Sequence, residues 1–96
     1  MFVHVVMWKL KKEDCISNSL KIKELLENLA SKMDEVKDLE VGIDISNTEA
    51  SYELVLYSVF KNRDNYEIYR DCDEHKKIVG FINSVTIDRK VVDYER

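Results

Sequence analysis

Few residues of this chain could do chemistry, and most of those that could lie together. Tyr69, Asp71, Cys72, Asp73, Glu74 and His75 fall within residues 69–75; His4 and Cys15 stand apart. Histidine titrates near neutral pH, so His75 can serve as a general base, and a nearby tyrosine hydroxyl can orient it or share its proton. Tyr69 and His75 are therefore the candidate catalytic pair, with His4 as a second polar anchor for a ligand. Trp8 and Cys72 complete the candidate ligand-binding set. Each residue also has a plainer reading. His4 among Phe2, Val6 and Trp8 needs a polar partner wherever it points, and reads equally as a hydrogen-bonded structural residue. Tyr69 and Trp8 read as core, Cys72 as a small packing residue. His75 could be solvated at a helix start, although it shares a helix face with Ile78, Val79 and Ile82. Asp71, Asp73 and Glu74 could hold a hard cation, but read more simply as a solvated turn. The two cysteines show no metal-ligand spacing, and no metal or cofactor is expected.

The elements that must position these residues follow from the hydrophobic pattern. Residues 2–11 alternate, with Phe2, His4, Val6, Trp8 and Leu10 on one side and Val3, Val5, Met7 and Lys9 on the other. Residues 16–34 switch to helical period through Ile22, Leu25, Leu26, Leu29 and Met33. Asp14, Ser17 and Asn18 are alternative caps for that helix. Strands are expected at 39–46 and 51–60, joined by a turn at Ser46, Asn47, Thr48 and Glu49. A second helix capped at Asn62 or Asp64 carries Tyr66 and Tyr69 on its inner face. Residues 71–73 interrupt it, a third helix carries His75, and a strand over 85–94 closes the chain.

Strand, helix, strand, strand, helix, helix, strand is the split βαβ order of a ferredoxin-like α+β sandwich with a four-stranded antiparallel sheet. All 96 residues form a single domain. Helices in this arrangement cover one face of the sheet, yet the first and third strands are apolar on both. A second copy laid against the open face resolves this, so a homodimer is expected. Alternation alone leaves open which face His4 occupies. The net charge of −4 gives no reason to expect nucleic acid or an anionic membrane. No apolar run approaches the roughly 20 residues that span a bilayer, and the first residues turn polar too soon for a signal peptide. A cytoplasmic protein with free thiols is expected.

Three stretches carry a resemblance to a known family. Residues 3–11 (V-H-V-V-M-W-K-L-K) resemble the opening K-H-I-V-L-F-K-F-K of the stress-responsive A/B barrel (Dabb) family. Residues 69–75 are similar to its Y-x-x-H-P-x-H, and residues 91–95 to its closing V-V-D-Y. The resemblance implies a dimeric α+β barrel with the first-strand histidine, here His4, and the last motif histidine, here His75, facing a cavity within each subunit. In a plant polyketide cyclase of the family that last histidine and the tyrosine six residues earlier act as acid and base, positions that match His75 and Tyr69. Two positions depart from the pattern: Cys72 replaces the first motif histidine and Asp73 the proline. The departures leave the His75–Tyr69 pair in place, and the expected function is binding of a small, mainly apolar or aromatic ligand in the barrel, with His75 and Tyr69 within hydrogen-bond reach or one water apart. A non-catalytic homodimer acting in stress or interaction, and a haem- or quinol-handling monooxygenase, are the other readings.

Overall fold

The computed structural model covers residues 1–96. The elements run β1 (Phe2–Leu10), α1 (Cys15–Ser31), β2 (Val36–Ile43), β3 (Leu54–Phe60), α2 (Arg63–Asp71), α3 (Asp73–Val85) and β4 (Thr86–Glu95). The sheet order is β2-β3-β1-β4, every pair antiparallel. This is the ferredoxin-like α+β fold read from the sequence. β1 lies inside the sheet between β3 and β4, which fits a strand apolar on both faces.

Register settles the face of His4. It lies with Phe2, Val6, Trp8 and Leu10 on the side that the helices cover, and all five are buried. From α1, Ile22, Leu26 and Leu29 close over this face; from α2 come Tyr66 and Tyr69, and from α3 Ile78 and Ile82. Phe60 sits fully buried beneath both tyrosines, its ring centroid 5.4 Å from Tyr66 and 5.3 Å from Tyr69. The opposite face carries Met7, Val55, Val92 and Tyr94, each exposed by more than a third. No helix is long and apolar enough to cross a membrane.

Boundaries shift from the sequence expectation where a local irregularity hides the pattern. β2 begins at Val36 and ends at Ile43, three residues earlier at each end than alternation suggests. Its pairing with β3 slips between Val36 and Asp38, so Val36 and Leu39 both pair inward-side positions although they stand an odd step of three apart in sequence. Ile45 continues the alternation in sequence but lies in the loop, almost wholly exposed. At the helix start, Asp14 takes the cap position in left-handed conformation (φ 53°) and its side chain makes no capping bond.

β2 is an edge strand, and at Val41 its outward backbone groups are occupied. Lys23 Nζ donates to the Val41 carbonyl at 2.7 Å, and the Val41 N–H donates to Glu27 Oε2 at 3.0 Å; the two side chains also pair at 2.7 Å. Burial pushes the Glu27 carboxyl up, but the bonds from Lys23 and Val41 outweigh it and hold the group below its usual range. Two stability changes follow from the packing and the caps. Phe60→Ala is expected to cost about 3–5 kcal/mol. Asn62→Ala, which removes the side-chain cap accepting from Asn65 N–H at 2.9 Å, is expected to cost about 1 kcal/mol. Urea titration of both variants checks the order; equal midpoints would contradict it.

Candidate functional site

Cys72 is the joint on which the site turns. It ends α2 and caps α3 with an extended backbone (φ −70°, ψ 150°), and its Sγ accepts the His75 N–H at 3.4 Å. In one continuous helix His75 would follow Tyr69 by about 600°, pointing to a different side. With the break, the two rings meet at 4.5 Å between centroids and 52° between planes. The Nδ1 of His75 lies 2.9 Å from the Arg70 carbonyl oxygen. A carbonyl can only accept, so Nδ1 carries the hydrogen and Nε2 holds the lone pair.

His4 is held in the same manner from the other side. Its Nδ1 lies 2.5 Å from the Asp93 carboxylate on β4, directly opposite in register. The carboxylate accepts, so here too Nε2 is left as the acceptor. Its ring packs 4.7 Å from that of Tyr66. Burial lowers the pKa of His4, and Arg89 adds to this, while Asp93 opposes them without prevailing. Burial likewise lowers His75, with further lowering from His4 and Arg89 against the raising effect of the Arg70 carbonyl and Asp71. Both imidazoles are therefore neutral near pH 7, as bases must be.

Between the two histidines lies a cavity of about 430 Å³, within the range of small-molecule sites. His4, Val6 and Trp8 of β1 form its floor. Leu26 of α1, Leu56 of β3 and Tyr66 of α2 contribute further wall, and His75, Val79 and Ile82 line the α3 side. The structure thus brings His4, Trp8 and His75 to one space. It leaves Tyr69 and Cys72 out of the lining. Tyr69 is fully buried behind the His75 ring, and its hydroxyl makes no hydrogen bond within the chain. Burial pushes that hydroxyl's pKa well up. Tyr69 and His75 were expected within hydrogen-bond reach or one water apart; no direct bond is made, and the two touch through their rings. Cys72 acts as a cap, and both cysteines are free.

Sequence reasoning passed over Asp93, Arg89, Arg70 and Lys76. The readable signal for Asp93 and Arg89 was their even spacing with Val91, which places all three on the inward side of β4, opposite Val6 and its neighbours. Without the β1–β4 register, nothing ties that side to His4.

The chain matches the Stress responsive A/B Barrel Domain (Dabb) family over residues 2–96 and belongs to it. No curated protein is similar enough to count as a match. Among solved structures, a dimeric protein of unknown function with a ferredoxin-like fold from Bacteroides fragilis is 28% identical. The match covers 99% of this chain and 95% of that one, with a TM-score of 0.88. A Dabb family protein from Mesorhizobium loti is 19% identical, covering 99% and 95%, with a TM-score of 0.82. A hydroxynitrile lyase from Passiflora edulis is 15% identical, covering 97% and 90%, with a TM-score of 0.84. At those last two identities the likeness is one of fold.

The lowered histidines make stability depend on pH in a defined direction. Below the usual imidazole value of about 6.5 the unfolded chain takes up protons that folded His4 and His75 refuse, so acid favours unfolding. The stabilising contribution is complete above that value. It declines as pH falls below it and levels off once the lowered folded values are passed. The urea midpoint is expected to fall between pH 7 and 5.5, and the slope to shrink in His4→Gln with His75→Gln. An unchanged slope in the double variant would contradict this.

Proposed function

Taking a stress responsive A/B barrel with an open cavity as the premise, we propose that this chain binds a small, mainly apolar or aromatic molecule between the sheet and α3. There His75 transfers a proton to or from it. The observation that carries the reading is the cavity itself. A barrel meant only for packing would fill this space with its own side chains, whereas here about 430 Å³ stays open between two neutral, oriented imidazoles. The chemistry is acid–base chemistry of the polyketide-cyclase type, in which a base takes a proton from carbon beside a carbonyl. His75 is the base, with Nδ1 anchored to the Arg70 carbonyl and Nε2 free to accept. Tyr69 supports the ring from behind and keeps its plane. His4, fixed by Asp93, offers the second acceptor and polar anchor.

A neutral aromatic probe tests the binding. In labelled protein titrated with 2-naphthamide, the NMR signals of His4, Trp8, Tyr66, His75 and Val79 are expected to move together, while those of Met7 and Val92 on the far face stay in place. If neither saturating 2-naphthamide nor its carboxylate, 2-naphthoate, moves any of the first group, the reading is overturned.

The same reading includes a homodimer. Met7, Val55, Val92 and Tyr94 make an exposed apolar face on the sheet, larger in character than a lone soluble subunit commonly shows. The 28%-identical Bacteroides fragilis structure is described as dimeric. A second copy, face to face, covers the patch in both chains at once. Light scattering on the eluting protein should give about twice the 11.4 kDa chain mass. A stable monomer at micromolar concentration would count against it.

A further inference from the structure

The cavity wall has a charge opposite to that of the chain. The sequence carries 19 acidic side chains against 15 lysines and arginines. Yet no aspartate or glutamate lines the cavity, whereas Arg70, Lys76 and Arg89 all do. Three elements supply them: α2, α3 and β4.

The three cations are not equivalent. Arg70 is already neutralised. Its Nε and Nη2 donate to the two oxygens of Asp71 at 2.7 and 3.0 Å, with Glu67 4.0 Å away. Arg89 and Lys76 take part in no ion pair. The acid next to Arg89 in sequence, Asp88, points to the other side of β4, where it accepts from the Tyr52 hydroxyl and lies 3.7 Å from Lys90. The remaining acid near the cavity, Asp93, keeps its charge while accepting from neutral His4, but it stands four residues along β4 from Arg89 and forms no ion pair with it. Arg89 therefore faces the space without an ion-pair partner, and its field reaches both imidazoles and the Tyr66 hydroxyl.

An unpaired guanidinium and ammonium beside an apolar cavity call for one negative group, since charge-assisted bonds to a carboxylate are the strongest that such donors make. We propose that the ligand of this cavity is a small organic acid: an apolar or aromatic body seated against Trp8, Val79 and Ile82, and a carboxylate held at the mouth by Arg89 and Lys76. The assignment rests on the cavity being a ligand site, and it adds the ligand's charge. It also orients the ligand. The acid group stays at the cationic rim while the apolar body enters between His4 and His75, so the atoms offered to the imidazoles are those away from the carboxylate.

Two probes of the same shape separate charge from shape: 2-naphthoate, an anion at pH 7.5, and 2-naphthamide, its neutral counterpart. By NMR titration, 2-naphthoate is expected to bind about tenfold more tightly or better. The advantage should shrink between 20 and 300 mM sodium chloride. In Arg89→Gln with Lys76→Gln, two exposed positions, the two probes should bind alike. Equal affinity of both probes for the unaltered protein, or an advantage that survives the double substitution, overturns the acid assignment and leaves the cavity reading standing. Failure of both probes to bind overturns the cavity reading and this one with it. Should the variant not fold, the salt dependence in the unaltered protein decides: an advantage insensitive to salt overturns the assignment.

Discussion

One residue of extended backbone governs the rest of the site. Cys72 separates two helices that would otherwise run on as one, and the change of direction there decides where His75 points. The joint is supported at both ends. Its N–H reaches the Tyr69 carbonyl, its own carbonyl accepts from the Lys76 N–H, and its sulfur takes the His75 N–H, the third of α3. Because the ring of His75 is also tied to the Arg70 carbonyl, the last turn of α2 and the first of α3 are bound across the break. A polar residue with a shorter or stiffer side chain at position 72 would keep the cap but alter this spacing. A residue with no capping atom would loosen it.

From that joint the two halves of the cavity become intelligible as one device. His75 comes from the helical layer and His4 from the sheet, and each is fixed through Nδ1 by a group that can only accept. Neither imidazole is free to exchange tautomers without losing a bond, so each presents the same nitrogen as acceptor. Burial and the nearby arginine keep both uncharged. An environment that lowers the pKa of a base weakens it, but it also leaves the base in its working form over a wider pH range.

How far the sequence disclosed this differs by element. β1, α1 and the paired tyrosines of α2 were legible because their periods are uninterrupted from end to end. β2 was displaced in the reading because a bulge near Val36 breaks the alternation, while Ile45 prolongs it falsely into the loop. The face of His4 was illegible, because β1 is apolar on both sides and period two alone has no sign. Tyr69 was read as an acid–base partner for His75; in the fold its ring packs on that imidazole while its hydroxyl bonds to nothing in the chain. Asp93 and Arg89 escaped because their meaning depends on register between strands some 90 positions apart, and no local pattern holds that. The cysteine that replaces a histidine in the family motif looked like a departure at the site; in the fold it is a cap.

The Lys23–Glu27 clasp on β2 also limits how the sheet can grow. At Val41 both hydrogen-bonding groups that an incoming strand would need are already taken by a pair of opposite charges. A foreign strand docking there must first separate two ions and strip their bonds, so that border resists templated addition. β4, at the other border, is guarded differently: Asp88, Arg89, Lys90, Asp93 and Glu95 lay charge along it, so a strand docking there would have to bury ions.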